Sequence, residues 1–257
     1  MITAGIDMGA KTIKVVVLRD GTVVGTAIRV GGFDTMSAAR EVMAEALREA
    51  GVGRGEVQQV VATGAGREEA PDKDRTLTEV GGVARAIVHL YPDARTVVDV
   101  GAEEGRAIRC DERGRVVDFA INEKCAAGAG AFAEAMARAL EVSVADMGPL
   151  SLRSTRTIPM NAQCTVFAES EVVSMIHSNV AKEDMARAVH DAMASRIVSL
   201  VRKVGYTPPV ALVGGLARNT GFVDSFKRGL ETQTLYIPDD PDLCGALGAA
   251  LAGTDAA

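Results

Sequence analysis

With 257 residues, 47% of them hydrophobic, the chain is long enough to build one large domain or two of ordinary size around a sizeable core. A net charge of −6, the lack of any dense Lys/Arg run, and only six Phe, three Tyr and no Trp exclude a nucleic-acid-binding surface. The longest apolar runs, such as Thr96 to Val100 and Val210 to Val213, fall well short of the roughly 18 to 20 residues that cross a bilayer, so no membrane span is expected.

The chain opens directly on a strand-like run without a charged leader and apolar signal core, which predicts a cytoplasmic location. In that setting its four cysteines are expected to be reduced, metal-binding or buried rather than paired. Ile2 to Ile6, Lys14 to Leu18 and Val23 to Val30 read as three consecutive antiparallel strands, with Asp20-Gly21 as a hairpin turn. A helix from about Thr35 to Ala50 puts Met36, Ala39, Met43, Ala46 and Leu47 on one face and ends at Gly51. Gln58 to Thr63 is a short buried strand, and TEVGGVARAIVHL a helix marked by Gly81 and Gly82.

From Thr96 the pattern starts again. Strands are predicted at Thr96 to Val100, Arg106 to Cys110 and Val116 to Ala120, with Arg113-Gly114 at the second turn and a helix near Ala129 to Leu140. Asp99 and Gly101 stand at the end of the first strand of this repeat, as Asp7 and Gly9 do in the first, which predicts a duplicated architecture of two related lobes facing one cleft. Helices follow at Phe167 to Ser178 and Lys182 to Val204. A buried strand at Val210 to Val213 then opens into Gly214-Gly215, followed by a short helix, a strand at Thr234 to Ile237 and a small-residue C-terminal helix. The expected division is 1–94 plus about 241–257 as lobe I and 95–240 as lobe II.

In GIDMGAKTIK, a tight turn at Gly9 would let the backbone N–H groups around Ala10 surround a phosphate, with Lys11, Thr12 and Lys14 adding charge or a hydroxyl. Taken alone, the same residues also describe an ordinary hairpin, with Lys11 and Lys14 as exposed strand positions. Asp99, Gly101 and Ala102 form the second such loop, and two acidic groups at mirrored strand ends suit a hydrated Mg²⁺ on the phosphates. In ALVGGLARNTGF, Gly214 and Gly215 allow close approach of a base or ribose, with Asn219 in the helix that follows; a structural glycine turn is the competing reading.

Cys125 in NEKCAAGAGAF and Cys164 in NAQCTVFAESE each precede helical spacing, so each thiolate would lie near a helix start, where the dipole favours negative sulfur. Two thiolates are half the usual set for a cluster or structural zinc, which points to a centre shared between two chains. Cys110, on a strand, and Cys244, at the start of the last helix, read as small buried residues. His89, His177 and His190 have no metal-like spacing.

Two Asp-Gly loops and a late Gly-Gly loop resemble the acetate and sugar kinase, heat-shock protein 70 and actin superfamily, which implies an α/β fold of duplicated ribonuclease H-like lobes with an interlobe nucleotide cleft. Within it, INEKCAAGAGAFAEAMA, NAQCTVFAESEVVS and PDLCGALGAAL resemble the activating ATPases of 2-hydroxyacyl-CoA dehydratases and the ATPase subunits of benzoyl-CoA reductase, over almost the whole chain. The resemblance implies that Asp7 and Asp99 are the catalytic acids of a Mg²⁺- and ATP/ADP-binding site. It further implies that Cys125 and Cys164 hold half of a [4Fe–4S] cluster bridging two ATPase chains, identical or related. A ferredoxin-type donor and larger catalytic subunits, or a dehydratase, would be the electron partners.

The activators usually carry G-G-Q-D-x-K in the second loop, whereas this chain reads Gly101-Ala102-Glu103-Glu104-Gly105-Arg106, closer to the smaller ATPase subunit of the reductase. The expected function is therefore ATP-dependent, low-potential electron transfer in a benzoyl-CoA reductase. The alternatives are a homodimeric dehydratase activator, a small-molecule kinase of the same superfamily, and a nucleotide-binding module without turnover.

Overall fold

A computed structural model describes residues 1–122, 129–160 and 164–256. Its chain divides into two compact units, one made of Met1–Ala94, Cys110–Val117 and Asp242–Ala257, the other of Arg95–Arg109 and Asp118–Pro241.

The first unit begins with β1 (Ile2–Met8), β2 (Thr12–Arg19) and β3 (Thr22–Val30), a meander whose first two strands pair in antiparallel register from Ile2↔Arg19 to Met8↔Ile13. Asp20 and Gly21 both have positive φ, 52° and 79°, the signature of the two-residue turn whose twist matches that of the strands. Helix α1 (Thr35–Ala50) is fixed at both ends. The Asp34 carboxylate accepts from the Ser37 N–H, and Gly51, left-handed at φ 61°, returns its N–H to the Arg48 and Leu47 carbonyls. Its buried stripe, Ala39, Val42, Met43, Ala46, Leu47 and Ala50, packs into the core formed with Ile6, Ile13, Val15 and Val17.

Strand β4 (Gln59–Thr63) runs parallel to β1, and β5 (Arg75–Thr76) adds a short edge, giving the order β3-β2-β1-β4-β5. Helix α2 (Glu79–Leu90) and the C-terminal helix (Cys244–Gly253) lie against each other at glycine distance. A Cβ on Gly248 would be 1.7 Å from the Gly82 carbonyl oxygen, and one on Gly5 would be 2.0 Å from that of Ala246. The crossing thus admits no side chain at Gly248, and at Gly82 a Cβ would already be 3.2 Å from the Gly245 carbonyl oxygen. All ten residues of the C-terminal helix are buried, which is why its sequence is nothing but small or aliphatic residues.

The second unit repeats the plan. Strands β6 (Thr96–Val100), β7 (Gly105–Cys110) and β8 (Val116–Ile121) form a second meander, and β9 (Val210–Val213) runs parallel to β6 with β10 (Leu235–Tyr236) beyond it. The order β8-β7-β6-β9-β10 is that of the first sheet element for element. Helices α3 (Gly130–Ala139), α4 (Val144–Leu152), α5 (Thr165–His177), α6 (Lys182–Val204) and α7 (Thr220–Leu230) complete the unit, leaving the C-terminal helix as α8. Phe132, Met136, Met147, Val189, Met193, Ile197, Phe222 and Phe226 form its core.

Helix α4 has no counterpart in the sequence reading. Pro149 lies inside it, which masks a segment whose start is signalled by Ser143, its hydroxyl accepting the Asp146 N–H. Among the described residues no helix is long and apolar enough to cross a membrane.

Candidate functional site

Each meander ends in the same four-part arrangement. In the first unit Asp7 is the cross-strand partner of Lys14, and their side chains, each 15% exposed, meet at 3.2 Å. Opposite in β4 is Thr63, so the next residue, Gly64, turns back across the end of β1. Gly64 has φ +93°, and a Cβ there would be 2.5 Å from Asp7 Oδ1. In the second unit Asp99 is the partner of Arg106, Nη1 to Oδ2 at 3.0 Å, with side chains 12% and 13% exposed. The partner of Asp99 in β9 is Val213, and Gly214, at φ +83°, would place a Cβ 2.7 Å from Asp99 Oδ1.

Each carboxylate is thus held by a cation on one side and faced by bare backbone on the other. The physical cause is the register of a meander: a tight turn puts the residue seven positions on directly across the ladder. Both glycines occupy backbone that an L side chain would strain and enter space that it would fill.

Gly9, Ala10 and Lys11 form the turn between β1 and β2, with Thr12 at the first position of β2. A Cβ on Gly9 would be 2.8 Å from both Lys14 Nζ and the Thr12 carbonyl oxygen, so the turn is closed tightly over the Asp7–Lys14 pair. On the far side, the start of α8 reaches the same carboxylate: a Cβ on Gly245 would be 3.0 Å from Asp7 Oδ2.

In the second loop, the Gly101 N–H donates to the Glu104 carbonyl at 2.9 Å. The Gly101 and Ala102 carbonyls in turn accept from the Gly130 and Ala131 N–H groups, both at 2.8 Å. Those two N–H groups belong to the first turn of α3, where no carbonyl of the helix itself can receive them. The loop therefore fastens the helix that follows the Cys125 segment.

Cys125 lies outside the described residues. Cys164 is half-buried at the N-cap of α5, in extended backbone (φ −144°, ψ 139°), as the spacing predicted. Chemically that position suits a thiolate ligand, because the helix's positive end and first-turn N–H groups favour negative sulfur. The described half of the cysteine pair therefore fits a cluster ligand. Beyond it α5 exposes Val166, Phe167, Val173 and Ile176, an apolar face with a shallow concavity of about 460 Å³ lined by Phe167, Ser170, Glu171 and Ser174. Cys110 and Cys244 are buried, 3% and 2% exposed.

Asn219 lies at the start of α7. It caps α7, its Oδ1 accepting the Phe222 N–H at 3.0 Å, which is what an Asn at a helix start does. Gly64, Gly245 and the cationic role of Arg106 went unread in the sequence. Aligning the two repeats would have found Gly64, since it follows its strand as Gly214 follows Val213.

Beside the first turn of α7, where a Cβ on Gly221 would be 2.6 Å from its Nδ1, His190 is fully buried on α6 with Nδ1 2.9 Å from Ser151 Oγ. Ser151 donates to the Gly148 carbonyl, so the shared hydrogen belongs to His190 Nδ1, leaving Nε2 as a buried acceptor without a hydrogen-bond partner among the described residues. Burial lowers the imidazole pKa to about 4 against a smaller opposing pull from Asp191. A folded value below the ordinary 6.5 means stability that is complete above pH 6.5 and is lost as pH falls from there towards 4. The loss expected is on the order of 3 kcal/mol. Urea titrations at about pH 7.5, above that window, and at about pH 4.5, near its lower end, check this. His190→Gln should flatten the difference, and an unchanged slope would show that other groups carry it.

A model of the BadF/BadG/BcrA/BcrD ATPase family matches residues 4–253. The chain belongs to that family. An activator of 2-hydroxyisocaproyl-CoA dehydratase from Clostridioides difficile is 37% identical over 258 residues, covering 100% of this chain and 96% of the relative. A solved structure of such an activator from Clostridium difficile, with bound ADPNP, superposes at TM-score 0.93 with 36% identity, covering 100% of this chain and 95% of that one. One of the subunits of benzoyl-CoA reductase from Thauera aromatica is 34% identical over 263 residues, covering 98% of this chain and 93% of the relative. The fold is the duplicated α/β type that the superfamily resemblance implied, shared also with sugar kinases. As a family member the chain is an ATPase with a nucleotide-binding relative, and by their names those relatives work with another protein component, a dehydratase or a reductase.

Proposed function

We propose that this ATPase is an ATP-driven donor of low-potential electrons to a partner that transforms a CoA thioester. The observation that carries the reading is the pair of hydrogen bonds from Gly130 and Ala131 to the Gly101 and Ala102 carbonyls, because it joins a phosphate-type loop to the helix behind Cys125. A shift of that loop on nucleotide turnover would be felt at the cysteine segment.

In this reading Asp7 and Asp99 would be the carboxylates that serve Mg²⁺, which when bound would supply charge neutralisation at the phosphates. Gly9, Ala10, Gly101 and Ala102 supply close backbone, Lys11, Thr12 and Lys14 lie at the first loop, and Gly214 and Gly215 face the adenosine. Asn219 holds the start of the helix behind them. Cys125 and Cys164 would hold half of a [4Fe–4S] cluster, a group that accepts and releases one electron at low potential when bound. The exposed apolar face of α5, starting at Cys164, supports a protein partner at that end. Reduced thiolates of this kind suit a cytoplasmic setting, with a ferredoxin-type protein as the proposed donor.

The likeness to the dehydratase activator favours a homodimer that activates a dehydratase. A second reading, the smaller ATPase subunit of a benzoyl-CoA reductase, is favoured by the loop Gly101 to Arg106 and its departure from G-G-Q-D-x-K. Anaerobic co-purification separates the two: a homodimer supports the first, a second ATPase chain with two larger subunits supports the other.

ATP hydrolysis by the purified protein tests the nucleotide half. Asp7→Ala is expected to lower kcat by roughly 100-fold or more, as removal of a group that orients the reacting water does. Full activity in that variant, or transfer of phosphate to a sugar or acid by the wild type, would replace this reading with a kinase or an inert module.

A further inference from the structure

We propose that Arg106 is a positioning residue that fixes Asp99 and the second phosphate loop together, an inference that rests on the ATPase reading above. Three observations converge on it. The guanidinium is 13% exposed and uses both arms, Nη1 to Asp99 Oδ2 at 3.0 Å and Nη2 to Glu104 Oε2 at 2.9 Å. Glu104 is at the same time the residue whose carbonyl closes the loop by accepting the Gly101 N–H. And with Oδ2 engaged by the cation, Asp99 Oδ1 is the oxygen turned toward Gly214.

One side chain thus ties the carboxylate, the loop and the direction of the remaining oxygen. Lys14, its counterpart in the first unit, can hold Asp7 only as a point charge, whereas a planar fork sets two partners at once.

Positioning makes a distinct kinetic statement. Binding of Mg–ATP is spread over many contacts, but turnover depends on the orientation of Asp99, so loss of the fork should appear in kcat rather than KM. The test is steady-state ATP hydrolysis by the full-length protein and its Arg106→Gln, Arg106→Lys and Glu104→Gln variants, with thermal melts alongside. Arg106→Gln is expected to lower kcat by roughly tenfold with KM within about threefold of wild type. Arg106→Lys, which keeps the contact to Asp99, should recover most of it. Glu104→Gln, at a side chain 47% exposed and so harmless to folding, should lose about two- to threefold.

An unchanged kcat in Arg106→Gln, a loss carried in KM, or a failure of Lys to restore a folded variant would overturn the proposal while leaving the ATPase reading intact. If Arg106→Gln does not fold, an unchanged kcat in Glu104→Gln overturns it. Absence of Mg–ATP binding by the wild type would overturn both.

Discussion

Gly214→Ala should remove nucleotide binding and lower the melting temperature of the second unit by roughly 10 °C or more. At φ +83° and ψ 174° this glycine occupies backbone that other residues enter at a cost of about 1–3 kcal/mol. A Cβ would also sit 2.4 Å from the Val100 carbonyl oxygen and 2.7 Å from Asp99 Oδ1, so β9 and β6 cannot keep their parallel register without one of them giving way. Overpacking against backbone adds about 1–3 kcal/mol, and the sum corresponds to a shift of that size in a unit of about 140 residues. Gly55→Ala is the matched control, because nothing lies within 4 Å of a Cβ there; it should cost under about 0.5 kcal/mol. Calorimetry and ADP titration of both variants check the result. A Gly214→Ala protein that melts like wild type and binds ADP would show that the loop tolerates a side chain.

The second large effect is expected at Cys164. Replacing it with serine leaves α5 as well capped as before, since a serine hydroxyl is among the best N-cap acceptors. Folding is therefore expected to be unaffected, and what disappears is the sulfur. Under the proposed function, anaerobically prepared Cys164→Ser should lose its brown colour and iron, and electron transfer to the partner should fall by more than ~100-fold. ATP hydrolysis should persist. Cys110→Ser and Cys244→Ser, at buried positions, should retain the iron even if they melt earlier. A Cys164→Ser protein that keeps its iron and its electron transfer would remove this residue from any cluster.

The meander strands were legible because alternation, turn residues and β-branched runs act locally. The Asp20-Gly21 turn and the capped helix Thr35–Ala50 lie where those local signals put them. The repeat made the second sheet predictable from the first. Apart from α4, hidden by Pro149, what escaped depends on tertiary contact. Gly64 looks like any turn glycine until β4 is laid beside β1 and its backbone meets Asp7. Gly82 looks like a helix weakness until α8 crosses it.

Arg106 shows how close the missing signal was. The spacing of seven residues from Asp99, repeated between Asp7 and Lys14, is the register of a tight hairpin, so the ion pairs follow from the strand assignments. Asn219 has a role that the sequence reading did not name, the cap of α7. The place of Cys164 at a helix start was legible, because a helix start is a local property.

Under the proposed function this ATPase carries half of a cluster completed by a second chain. Native mass spectrometry of the anaerobically purified wild type, with iron and sulfide determination, addresses it directly. The expected species is two chains holding four irons and four sulfides together, falling to iron-free chains when Cys164 is replaced by serine. An iron-free wild-type protein, or a full cluster on a single chain, would contradict it.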